Sequence, residues 1–185
     1  LGSERIAEQL QACSELTWQG DLFGCSGGVF MENNLPIQIR ENSVILETRK
    51  LEGEDYYTPC DSIPNKYRKS CIFEQASWWA EVLDENYEKI AQLCLGSGSS
   101  EEEYCFKGLG NNIVERSAYD IDLIKDLCKR MPDKTSEALC RAGAHWAFFA
   151  NPEKRNQAEG LCQDLGSLKE FCIKKADLLN LNENT

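Results

Sequence analysis

Apolar residues recur at helical spacing through most of the chain. Near the start, Ile6, Ala7, Leu10 and Cys13 fall at i, i+1, i+4 and i+7, which predicts an amphipathic helix over residues 3–16 with Ser3 or Glu4 at the cap. Thr17 to Leu22 contains Gly20 and Asp21 and reads as a turn. A second helix is predicted from about Asp21 to Asn33, carrying Cys25, Gly28, Val29 and Met31. The rhythm then breaks over residues 34–59. Pro36-Ile37-Gln38-Ile39-Arg40 alternates apolar and polar, Val44-Ile45-Leu46 stays apolar, and Lys50 to Asp55 is charged. That stretch predicts an inserted loop with short strand or helix character. After Cys60 a regular rhythm resumes, and the chain ends in Leu178-Leu179-Asn180-Leu181 and a polar tail, which predicts a terminal helix fraying into solvent.

A ladder of cysteines lies over this pattern. Cys60, Cys94, Cys128 and Cys162 are evenly spaced, and Cys71, Cys105, Cys140 and Cys172 follow them at nearly the same interval. Cys13 and Cys25 form one more copy upstream. Each unit reads as two helices joined by a short polar connection, with the first cysteine closing the first helix and the second in the opening turns of the next. Ser100, Thr135 and Ser167 stand five residues before the second cysteine of their units and are the expected caps of those second helices. Asp84, Ser117 and Asn151-Pro152 are the expected starts of the first helices. Cysteines flanking the turn of an antiparallel helix pair come within bridging distance. The expected pairs are therefore Cys13–Cys25, Cys60–Cys71, Cys94–Cys105, Cys128–Cys140 and Cys162–Cys172. Gly28, Gly108 and Gly143 each follow the second cysteine of a unit by three residues. Glycine inside a helix costs about 1 kcal/mol relative to alanine, so its recurrence predicts close helix–helix approach. Glu74 and Lys175 occupy that position in the other two units.

The period of the ladder, about 34 residues, resembles that of tetratricopeptide and Sel1-like repeats. The resemblance is architectural, since the tetratricopeptide consensus of small and aromatic residues is not reproduced. Cys25-Ser26-Gly27-Gly28-Val29-Phe30-Met31-Glu32-Asn33 and the segment from Pro59-Cys60-Asp61-Ser62 to Arg68-Lys69-Ser70-Cys71 are similar to elements of uncharacterised cysteine-rich helical-repeat proteins of microbes. That likeness implies a repeat fold and brings no catalytic residues. The expectation is an all-α, solenoid-like stack of about five helical hairpins, a single domain over 1–185 with the insertion at 34–59.

Composition changes the picture in two respects. Ten cysteines, even in number and regular in spacing, read as a disulfide framework and hence an extracytoplasmic setting: secreted, periplasmic, or the ectodomain of a larger protein. No two cysteines lie closer than ten positions, so neither the Cys-x(2–4)-Cys knuckle of a zinc site nor a thioredoxin-type motif is present. The net charge of −11 argues against nucleic-acid binding. No run of about 18 apolar residues exists, which argues against a membrane span. The chain begins at Leu1 without a visible signal peptide, as a mature or excised fragment would.

Candidate chemistry is sparse. His145, the single histidine, sits in the apolar run Ala144-His145-Trp146-Ala147-Phe148-Phe149 and reads as a packing residue with its hydrogen bonds satisfied. Glu101-Glu102-Glu103 reads as first-turn carboxylates favoured by the helix dipole rather than as a cation site. Gly108-Leu109-Gly110-Asn111-Asn112 lies within a helix with no strand before it, against a phosphate loop. Adjacent helical residues point about 100° apart, so either both Trp78 and Trp79 pack between neighbouring helices or one of them is a candidate to line a groove, with Trp146, Tyr57 and, more weakly, Trp18 and Tyr56 as further candidates. The function expected is a protein- or peptide-binding scaffold with no catalytic residues, cofactor or metal. The alternatives are a ligand or enzyme pocket near Trp78, Trp79 and the insertion, or metal binding by reduced thiols.

Overall fold

The computed structural model describes residues 3–15, 24–34, 37–40, 43–46 and 48–176. It is built from α-helices, with one small hairpin. Helices α1 (Ser3–Ser14) and α2 (Cys25–Asn34) open the chain, and strands β1 (Ile37–Arg40) and β2 (Ser43–Leu46) follow. Then come α3 (Asn65–Val82), α4 (Tyr87–Gly96), α5 (Glu102–Arg116), α6 (Ile121–Cys128) and α7 (Lys134–Ala150). A 3-10 helix (Arg155–Leu161), a shorter one (Gly166–Leu168) and α8 (Lys169–Lys175) close it. The strands pair antiparallel, Ile37 opposite Leu46 and Arg40 opposite Ser43, inside the predicted insertion. The predicted turn over Thr17–Leu22, Trp18 and the Leu178–Leu181 segment lie outside the described residues.

The helices that carry the second cysteines pack in chain order, α2 on α3, α3 on α5, α5 on α7 and α7 on α8. The shorter α4 lies against α3 and α5, and α6 against α5 and α7. Between these layers sits the core, with Phe73, Trp78, Trp79, Ile90, Phe106, Leu109, Ile124 and Phe148 fully buried. Five disulfides join Cys13 to Cys25, Cys60 to Cys71, Cys94 to Cys105, Cys128 to Cys140 and Cys162 to Cys172, with Cα separations of 5.3–5.8 Å. Such a framework belongs to an oxidising, extracytoplasmic environment. No helix among the described residues is long and apolar enough to cross a membrane.

Two of the three predicted glycine contacts hold. A Cβ on Gly108 would lie 2.1 Å from the Phe73 carbonyl oxygen, and one on Gly143 would lie 1.9 Å from that of Lys107. Phe73 and Lys107 each follow their cysteine by two residues, so the α3–α5 and α5–α7 crossings are one contact repeated. Gly28 is exposed with nothing within 4 Å, so its place in the pattern reflects no close approach. Gly110, read only as helix interior, does make one: a Cβ there would lie 1.8 Å from the Cys140 carbonyl oxygen.

The predicted caps need correction. Asn86 caps α4, accepting from the Lys89 amide at 3.0 Å, and Asp120 caps α6, accepting from the Asp122 and Leu123 amides. Both stand eight residues before their cysteine. Asp84 and Ser117 belong instead to the turns before these caps. There Asp84 and Glu85 take φ of 50° and 57°, and Ala118 and Tyr119 take 50° and 65°. The amides of Glu85 and Tyr119 reach back to the carbonyls of Ala80 and Val114 at 2.9 and 3.1 Å, so the two turns are copies of each other one repeat apart. Left-handed backbone costs a non-glycine residue about 1–2 kcal/mol, and these bonds offset part of it. One unit later the position of Ala118 is held by Pro152, whose ring forbids positive φ. Asn151 instead accepts from the Glu153 amide, and a 3-10 helix replaces the α-helix. On the other helices, Asp133 caps α7 through the Thr135 and Ser136 amides, because its carboxylate outcompetes the Thr135 hydroxyl. Ser100 turns its hydroxyl to Glu101, and neither α5 nor α8 has a side-chain cap, so Ser167 caps nothing.

The expectation of five hairpins also fails at the second unit. Between Thr48 and Cys60 the chain forms turns and no helix. The backbone there is satisfied by side chains of α3. Trp78 Nε1 donates to the Arg49 carbonyl at 2.6 Å, and Trp79 Nε1 to the Tyr56 carbonyl at 2.9 Å. Gln75 Nε2 donates to the carbonyls of Tyr56 and Thr58 at 2.7 and 3.2 Å.

Candidate binding cleft

A cleft of about 370 Å³ opens between α1 and the segment from Pro59 to Tyr67. Its walls are mostly apolar, with Ile6, Ala7 and Leu10 on one side and Pro59, Ile63 and Tyr67 on the other. The stripe of α1 divides here. Ile6, Leu10 and Cys13 are buried, whereas Ala7 is exposed on the cleft wall. The Tyr67 hydroxyl donates to the Leu10 carbonyl at 2.9 Å and pins the two walls together. Behind it, the Ser70 hydroxyl meets that of Ser26 at 3.0 Å. Exposed Lys66 is the one lining residue with a formal charge, and its ammonium lies 4.7 Å from the centre of the Tyr67 ring.

The aromatic residues singled out in the sequence do not line this cleft. Trp78 and Trp79 are both completely buried, so neither faces a groove. Adjacent helical positions both become interior because the Thr48–Cys60 loop folds over one side of α3 while its neighbours cover the other. Tyr57 packs edge-on against Trp79 at 5.6 Å and donates its hydroxyl to the Leu93 carbonyl at 2.8 Å. Burial pushes the Tyr57 hydroxyl above its ordinary range. Tyr57 does border a smaller hollow of about 200 Å³, shared with Asp61, Arg68 and Ser97. Trp146 is half-buried on α7, remote in sequence from both hollows. The cleft residues Ile63, Pro64 and Tyr67 escaped the sequence reading. Their only signal was the apolar content of a segment chosen for its cysteines.

The remaining titratable groups are mostly tied into structure. Arg141, almost wholly buried, bridges Glu137 and Asp164, both at 2.5 Å, and fastens α7 to the turn after Leu161. Burial pushes the Glu103 carboxyl up, but the hydrogen bonds and charges of Lys107 and then Lys175 outweigh it and hold it below the usual range. Glu101 faces Arg68 at 3.6 Å. The acidic triplet thus serves ion pairs as well as the first turn of α5. All ten cysteines are bonded, and no group of three or more potential metal ligands occurs among the described residues. The Nδ1 of His145 has no hydrogen-bond partner among the described residues, contrary to the expectation of a satisfied ring. Burial lowers the pKa of His145, with Glu159 acting the other way.

A comparison with protein-family models, curated proteins and solved structures finds no match to this chain.

Proposed function

We propose that this chain is an extracytoplasmic scaffold that binds a protein or peptide, without catalysis of its own, and that the cleft between α1 and Pro59–Tyr67 is its binding surface. In this reading the chain is a solenoid-like stack with the period of the cysteine ladder, and the second unit departs from the repeat to make room for a partner. The observation that carries the reading is the cleft itself, an apolar groove of about 370 Å³ bordered by helix α1 and a disulfide-anchored segment. Apolar, largely preformed concavities with few polar groups are where ligands and partner side chains anchor. The recurring turns and crossings support a rigid scaffold, since stacked helical units hold such surfaces in fixed register.

The test is selection from a displayed peptide library on the oxidised protein, followed by affinity measurement on the Ala7→Arg variant. Ala7 is exposed, so the arginine fills the cleft without disturbing the core. Peptides that lose about tenfold or more in affinity support the reading. Peptides that bind both proteins equally, or no enrichment at all, count against it.

A further inference from the structure

Away from the cleft, at the end of α2, three buried hydrogen-bond donors have no acceptor among the described residues. They are Nε and Nη2 of Arg49 and Nδ2 of Asn34. The two residues are tied together, since the Arg49 amide donates to the Asn34 carbonyl at 3.1 Å. Asn34 is 2% exposed, and its amide oxygen is already engaged by Asn33 Nδ2 at 3.1 Å. The Arg49 guanidinium is stacked on Trp78, 3.6 Å from the ring centre. Trp78 is itself fixed by the bond from its indole nitrogen to the Arg49 carbonyl.

This arrangement is oriented for one kind of ligand. Nε and Nη2 form the side edge of the guanidinium, the fork that takes two oxygens of one carboxylate or phosphate in parallel. The stack on Trp78 fixes the plane of that fork. Arg49 as a whole is half-buried, but its Nε and Nη2 are shielded from water without an acceptor, an arrangement that a fitting anion would relieve. Burial lowers the Arg49 pKa, with the charges of Asp55 and then Glu52 opposing it. Neither carboxylate reaches Nε or Nη2. We infer that Arg49 and Asn34 form an oxyanion subsite, which receives a carboxylate or a phosphate-like group on the fork of Arg49 with Asn34 Nδ2 as a neighbouring donor. Trp78, buried in the core, acts here as the platform beneath the binding group. The subsite is independent of the cleft, so either can fail without the other.

The experiment is an NMR titration of isotope-labelled, disulfide-bonded protein with sodium phosphate and, separately, sodium acetate at fixed ionic strength. The readout is the Arg49 Nε–H signal, assigned by its absence in Arg49→Lys. The expected result is a saturable shift of that signal, and of the Trp78 indole N–H beneath it. In Arg49→Lys, which keeps the charge and loses the fork, the Trp78 response weakens about tenfold or more in affinity. Saturation by acetate alone assigns a carboxylate, by phosphate alone a free inorganic or ester phosphate, and by both the shared chemistry. A drift without saturation below about 10 mM for both anions, or a Trp78 response unchanged in Arg49→Lys, overturns the subsite. Thermal melting checks the same point by linkage, because a bound anion raises Tm in the parent protein and not in Arg49→Lys.

Discussion

The second unit and the two that follow it share one disulfide pattern and differ in what precedes the long helix. In the third and fourth units, Asn86 and Asp120 start short helices, α4 and α6, whose backbones satisfy themselves. In the second unit no helix forms, and Gln75, Trp78 and Trp79 reach out from α3 to satisfy the loop carbonyls. One unit on, these three positions are Leu109, Asn112 and Ile113. A buried loop must have its carbonyls paired, so losing the helix demands donors on the helix beneath it. The crossing position changes as well, since Glu74 stands where Gly108 and Gly143 let helices touch. The disulfide therefore sets where a unit turns, and local capping sets whether a helix fills it.

The largest test of this contrast is at the crossings. Gly108→Ala or Gly143→Ala drives a methyl group into a backbone carbonyl and should cost about 3 kcal/mol by denaturant melting under oxidising conditions. Gly28→Ala, in open space on α2, should instead gain about 0.4–1 kcal/mol. Equal effects at the two sites would dissolve the distinction between crossing and exposed glycines.

Removing a staple comes next. Replacing Cys60 and Cys71 together by serine, or Cys94 and Cys105, should each cost about 2–3 kcal/mol. The consequences should differ in place. Limited proteolysis should cut the loop before α3 in the first variant, whereas α4 should stay protected in the second.

Glu74 gives a pH test. Burial, and then the charge of Glu115, raises its carboxyl to about 8. Such a group binds its proton more tightly folded than unfolded, so its contribution falls as pH rises from about 4.5, its ordinary value, toward 8. Glu74→Gln should flatten that fall and raise Tm at pH 8, with little effect at pH 4. A fall unchanged in the variant would show that Glu74 titrates as an exposed acid.

The smallest effects are at the caps. Asn86→Ala and Asp120→Ala should each cost about 1 kcal/mol, whereas Ser117→Ala and Ser167→Ala, which remove no cap, should cost less. The Asp133 carboxyl is held below its usual range chiefly by the Ser136 backbone hydrogen bond. Its stabilisation is therefore present above the ordinary aspartate value near 3.8 and lost as pH falls through its lower folded value. Asp133→Asn should be missing that acid-side loss in melts followed downward from pH 5.

The repetition of the cysteine spacing was enough to anticipate the five disulfide pairs seen in the structure, because each closes a loop of 10–12 residues and a bridge that short is a local matter. The cysteine register also marked the long helices α3, α5 and α7. The strand character of Ile37–Arg40 was legible as alternation. The tertiary structure decided everything that depends on a neighbour distant in sequence. It decided that Trp78 and Trp79 are both interior, that Gly110 is a crossing and Gly28 is not, and that Arg49 is left with an unpaired fork. It decided the cleft too, whose walls come from distant parts of the chain and are joined by a hydrogen bond from Tyr67 to Leu10. Capping and bridging depend on residues a few positions apart and so can be read along the sequence. Burial is a sum over partners that only folding brings together.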